Sequence, residues 1–142
     1  MTLPRTISKI PVHLYGGTLL FCKTRRDFEK AYKYLHGSEY PDDTEEGAGL
    51  TCREPVVKDG KIFYLSGVFD SKLETTCHEA SHCTTLVMKR AGINSHDDDG
   101  ESTAYLMEFL FMEIHKKVFE QPKKKKVILE TTQIKDNDVT VL

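Results

Sequence analysis

The chain has 142 residues, of which 39% are hydrophobic and 30% charged, and its formal net charge is −2. That length suits one domain around one moderate core. So small a charge sets up no field for nucleic acid or an anionic membrane, and no apolar run approaches the roughly 20 residues that cross a bilayer. The start, Met1 to Tyr15, lacks the apolar centre of a secretory signal, so the expected compartment is the cytoplasm.

Residues 9–24, KIPVHLYGGTLLFCKT, hold two strand-like runs around Gly16-Gly17, a hairpin signal. Thr24 opens T-R-R-D, a capping-box pattern, before a helix with Phe28, Ala31, Tyr32 and Leu35 on one face and Gly37 at its end. The polar stretch SEYPDDTEEGAG reads as a loop. Two strands are expected next, Leu50 to Glu54 and Lys61 to Phe69, separated by Asp59-Gly60.

Ser71 to Glu74 forms a second capping box, and the helix behind it should reach about Ala91, with Gly92 as its C-cap. The loop INSHDDDG sets its acidic run before a third helix, about Gly100 to Glu120, where negative charge suits the helix N-terminus. That helix is apolar around most of its circumference, from Ala104 through Leu106, Phe109 and Leu110 to Val118, and is expected at the centre of the domain. Pro122 stops it. The expected organisation is one domain over residues 1–121 and a polar tail over 122–142. The tail either adds an edge strand near Val127 to Leu129 or is partly disordered. Lys123 to Lys126 reads as a solvated basic turn. The fold class is α+β, a small, mostly antiparallel sheet packed on the second and third helices.

The chemistry concentrates in CHEASHC, Cys77 to Cys83. Histidines at i and i+4 stack on one helix face, so His78 and His82 can bind one Zn²⁺. Glu79, beside the first histidine, can act as general base on a water held by the metal. A wheel started at Leu73 gathers Leu73, Cys77, Ala80, Thr84, Val87, Met88 and Ala91 as the core stripe and puts both histidines on the opposite side. The four cysteines, Cys22, Cys52, Cys77 and Cys83, contain no C-x₂₋₄-C pair and are expected as free thiols.

A catalytic zinc needs a third protein ligand. Glu101 follows His82 after eighteen intervening residues and begins a stripe with Tyr105, Glu108, Met112 and His115, the polar side of the third helix. Buried carboxylates are costly unless paired or bound to metal, so this stripe is expected to face the histidines. Glu108 competes as a ligand or as an orienting partner. His96 is at the wrong spacing and reads as a surface residue. Asp97 to Asp99 lack the spacing of a calcium loop. Position 88 is methionine where metzincins place their third histidine.

HEASH-x₁₈-E resembles the gluzincin class of zinc metallopeptidases, and residues 76–110 also resemble small phage-encoded zincin-like proteins. The resemblance implies a zincin-like fold in which His78, His82 and Glu101 bind zinc, Glu79 is the general base, and a peptide lies along the strand Ile62 to Phe69. Thermolysin-like members carry an acidic residue four positions after their glutamate. Here Tyr105 stands there, to donate a hydrogen bond to the oxyanion or simply to fill the core. The expected function is therefore hydrolysis of a peptide or protein substrate in the cytoplasm, that of a host cell if the chain is phage-encoded. The competing expectation is a non-catalytic zincin-like protein that binds a host partner, its zinc structural or relict.

Overall fold

The alternating runs around Gly16-Gly17 become two antiparallel strands, β1 (Ser8–Pro11) and β2 (Thr18–Cys22), in the computed structural model, which describes residues 1–41 and 47–120. Leu19 and Phe21 point to one face of the sheet while Leu20 and Cys22 point to the other, and all four are buried, so β2 is covered on both sides. The helix α1 (Arg25–His36) starts as expected: the Thr24 hydroxyl accepts a hydrogen bond from Asp27 N at 3.1 Å. Gly37, at φ 73°, closes it in the left-handed conformation that glycine adopts without strain. Phe28, Ala31 and Leu35 bury its inner face against Leu20, Cys22 and Leu65.

The next expected strand, Leu50 to Glu54, divides. Strand β3 (Gly49–Thr51) ends early and β4 (Val56–Lys58) resumes the pairing against β5 (Lys61–Val68). Cys52 N still bonds Leu65 O at 2.9 Å, whereas Val56 faces Phe63. Four steps on this edge thus oppose two on β5, and the surplus bulges out at Arg53 and Glu54. Asp59 and Gly60, at φ 52° and 73°, make the tight turn between β4 and β5.

The sheet order is β1-β2-β5-β3, with β4 in line with β3 on β5; only the β2–β5 pairing is parallel. The α+β class therefore stands. The strand expected to carry a peptide does not lie where the resemblance put it. β5 has partners on both sides, and the open edges belong to β1 on one side and to β3 and β4 on the other, where β3 lies against α2.

Helices α2 (Leu73–Ala91) and α3 (Glu101–Val118) cover the face of the sheet opposite α1. Gly92 caps α2 at φ 70°, and Ile93 N reaches back to Met88 O at 3.1 Å. The capping box at the other end does not form: Lys72 is the N-cap and makes no side-chain cap bond. Asp70 serves that end instead, its carboxylate accepting from Lys72 N at 3.1 Å and Thr75 Oγ1 at 2.7 Å. Desolvation works against the charge of Asp70, and the bonds from Thr75 and Lys72 outweigh it, holding its carboxyl below its ordinary range.

The core stripe of α2 also differs from the wheel. Leu73 is 53% exposed and Cys77 and Ala91 are exposed, while Thr76, Glu79, Ala80, Cys83 and Val87 are buried. The stripe is turned by about 50° because a polar face can go inside where hydroxyls receive it. Helix α3 buries one stripe, Leu106, Leu110, Ile114 and Val118, and is an outer layer; Tyr105 is 68% exposed and Ala104 and Met112 are exposed. Leu110 is fully buried in the core that α3 shares with α2 and the sheet. Leu110→Ala should cost about 2–5 kcal/mol in denaturant unfolding, without moving the site.

Among the described residues, no helix is long and apolar enough to cross a membrane. The basic run Lys123 to Lys126, the tail after residue 121 and the centre of the SEYPDDTEEGAG loop lie outside the described residues.

Candidate active site

Helix α2 lifts His78 and His82 one turn apart on its exposed side. Their Nε2 atoms approach to 3.1 Å, with the rings at 78° to each other and 4.7 Å between centroids. Two nitrogens bound to one tetrahedral zinc at about 2.0–2.1 Å each lie about 3.3 Å apart. The approach is a hydrogen bond between the two rings, and its span is close to the separation that a shared zinc would set.

Glu79, between them in sequence, turns the other way and is only 4% exposed. Its charge is met by the strand edge: Thr51 Oγ1 donates to Glu79 Oε2 at 2.5 Å. Thr51 Oγ1 also lies 2.7 Å from Ser66 Oγ, and Ser66 Oγ lies 3.2 Å from Leu50 O. Thr51 and Ser66 are opposite one another on β3 and β5, on the face that α2 covers. The close approach depends on Gly49. A Cβ there would stand 2.9 Å from Glu79 Cγ, 2.9 Å from Thr75 Cγ2 and 2.8 Å from Gly67 O.

A cleft of about 790 Å³ opens along this edge. One wall is α2, with His78, Glu79, His82, Leu86 and Lys89; the floor is the chain from Gly49 to Glu54, including the bulge. The far wall is aromatic, with Tyr32 stacked on His36 at 4.0 Å and set edge-on to Tyr40 at 5.0 Å. Phe69 N bonds Ala48 O and Cys52 N bonds Leu65 O, so residues 48 and 52 face β5. By alternation Gly49 and Thr51 direct their backbone N–H and C=O outward across the cleft.

The cysteines take no part in the histidine pair. All four are free. Burial pushes the Cys83 thiol up to about 12 and the Cys52 thiol up to about 11, which keeps both protonated and poor metal ligands. Cys77 is exposed, not in the core stripe where the wheel set it.

Glu101 opens α3 but is exposed and lines neither the cleft nor the smaller hollow beside it. Tyr105 and Glu108 are exposed with it, so the polar stripe faces solvent and its carboxylates need no metal to offset burial. Helix α3 meets α2 instead through apolar residues, Leu106 and Leu110 in the shared core and Met107, whose sulfur lies 3.4 Å from the Thr84 hydroxyl that donates to Ala80 O at 2.8 Å. His96 is exposed, as expected of a surface residue. In the acidic run, Asp98 caps α3, accepting from Ser102 N at 3.2 Å and Ser102 Oγ at 2.5 Å, and these bonds lower its pKa. Among the described residues, no group of three His, Cys, Asp or Glu side chains is placed to hold a metal ion. The histidine pair supplies two of the three protein ligands that a catalytic zinc needs, and the third, implied by the resemblance, is not beside it.

Thr51, Ser66 and the aromatic wall escaped the sequence reading. One signal was available: in Tyr64-Ser66-Val68 the alternation sets a serine on a core-facing row, which asks for a polar partner across it.

Compared with known families, curated proteins and solved structures, the chain matches no family model, no curated protein and no solved structure.

Proposed function

We propose that the protein is a zinc-dependent peptidase working in the cleft between β3 and α2, with His78 and His82 as metal ligands. The observation that carries this reading is the close approach of the two Nε2 atoms, 3.1 Å apart in a hydrogen bond that a metal ion would replace, next in sequence to a buried carboxylate on the same cleft. Zinc, when bound, supplies a Lewis acid and lowers the pKa of water. Glu79 takes the proton of the attacking water and returns it to the leaving amine. The outward backbone groups of Gly49 and Thr51 offer an extended peptide a ladder of hydrogen bonds, with β3 as the docking edge. Glu101 as third ligand and Tyr105 at the oxyanion rest on the resemblance alone; both stand on the solvent side of α3.

Purified protein incubated with a proteome-derived peptide library and read by mass spectrometry should generate defined cleavages. A chelator should stop them and added zinc should restore them. A second reading, a non-catalytic zincin-like protein that holds a partner in the same cleft, is favoured by the lack of a third metal ligand among the described residues and by the absence of Glu101 and Tyr105 from the cleft lining. Peptide binding without any cleavage, with or without zinc, selects it.

A further inference from the structure

We infer that Thr51 is a positioning residue that fixes Glu79 and the substrate strand in one register. The inference rests on the reading of Glu79 as general base. A carboxylate as buried as Glu79 needs a donor, and one bond to either oxygen would meet that need. The arrangement is more specific. Thr51 engages Oε2, and no side-chain atom of Glu79 is left buried without a partner, so Oε1 is the oxygen that reaches solvent, in the cleft or in the smaller hollow that Glu79 also lines.

The direction of the chain of hydroxyls follows from counting protons. Thr51 has one hydroxyl proton, and the 2.5 Å bond to the carboxylate takes it. In the 2.7 Å contact Ser66 is then the donor to Thr51, its one hydroxyl proton shared with Leu50 O at 3.2 Å. Ser66 is fully buried on the central strand, so it anchors the Thr51 hydroxyl to the rigid part of the sheet. The stem of Glu79 is fixed separately, pressed on the bare backbone of Gly49.

Thr51 thus touches two partners from one Cα. Its side chain holds the base from the α2 face of the sheet, and its backbone N–H and C=O point outward along the edge where a peptide strand would dock. A peptide seated on that backbone has its distance to Glu79 set by a single residue. Misplacement of a reacting group by about 1 Å can cost about 100-fold in rate.

The test is steady-state kinetics on a peptide that the wild type cleaves. Thr51→Val keeps the shape and removes the hydroxyl; kcat should fall about 10–100-fold with KM within about 3-fold. Thr51→Ser should restore kcat to within about 3-fold, which a packing role of the methyl group would not predict. Wild-type kcat in Thr51→Val, with Glu79→Gln inactive, overturns the inference and leaves the general base in place. A rise in KM alone also overturns it. Should Thr51→Val fail to fold, Ser66→Ala decides: it removes the anchoring donor, and an unchanged kcat overturns the inference. A wild type that cleaves nothing overturns the proposed function itself, and this assignment with it.

Discussion

Glu79→Gln should retain the fold and zinc binding and lose peptide cleavage by about 10²–10⁴-fold, the range that positioned proton transfer contributes. The substitution is demanding because Glu79 is buried and could be a structural carboxylate. Glutamine separates the roles. Its amide oxygen can still accept the Thr51 hydroxyl at the place of Oε2, so the buried pair keeps its hydrogen bond. What disappears is the capacity to take a proton from water. Stability should therefore change by no more than about 1 kcal/mol, since one charged hydrogen bond becomes a neutral one. Thermal unfolding, metal content and product formation are read on the same preparation. Cleavage at the wild-type rate would remove Glu79 from the mechanism. A collapse of stability together with activity would make it a structural residue of the α2–sheet contact.

The parts of this fold that were legible in the sequence are the parts decided locally. Thr24 and Gly37 bracket α1, and Gly92 closes α2, because each cap is settled within four residues of itself. The two histidines share a face for the same reason. What failed needs knowledge of the neighbour. Ser71 matches a capping pattern, but the chain enters α2 with Ser71 at φ 54° and Asp70 takes its place. Glu79 reads as polar and outward on a wheel, and its burial depends on hydroxyls from β3 and β5 and on a missing Cβ at Gly49.

The spacing to Glu101 is the clearest case. Eighteen residues fix the length of chain between His82 and Glu101, not the phase of the helix that follows. Asp98, Asp99 and Gly100 all take left-handed backbone, at φ 49°, 57° and 79°, and they reset that phase just before α3 begins. Leu106, Leu110 and Ile114 then claim the inner face, and Glu101, about 140° from Leu106 on the wheel, turns outward. The edge strand is a similar case. β5 is the longest strand and its last five residues are buried, so it ends up central with partners on both sides, and the short β3 is left to border the cleft.

The histidine pair gives the second large effect. His78→Ala and His82→Ala should each lower zinc affinity by at least about 100-fold and abolish cleavage, because a single imidazole cannot replace two that converge at 3.1 Å. Both side chains are exposed on the side of α2 away from the core, so unfolding in the absence of metal should move by less than about 0.5 kcal/mol for either variant. That contrast identifies a functional pair: metal and activity fall together and the apo fold does not notice. The resemblance and the geometry then part company at Glu101. Its exposed place at the start of α3 leads to zinc affinity within about 3-fold of wild type for Glu101→Ala. A loss as large as that of the histidine variants would put Glu101 at the metal and require α3 to present a different face from the one that Leu106 and Leu110 now fix. Isothermal titration with zinc on the three variants reads both outcomes directly.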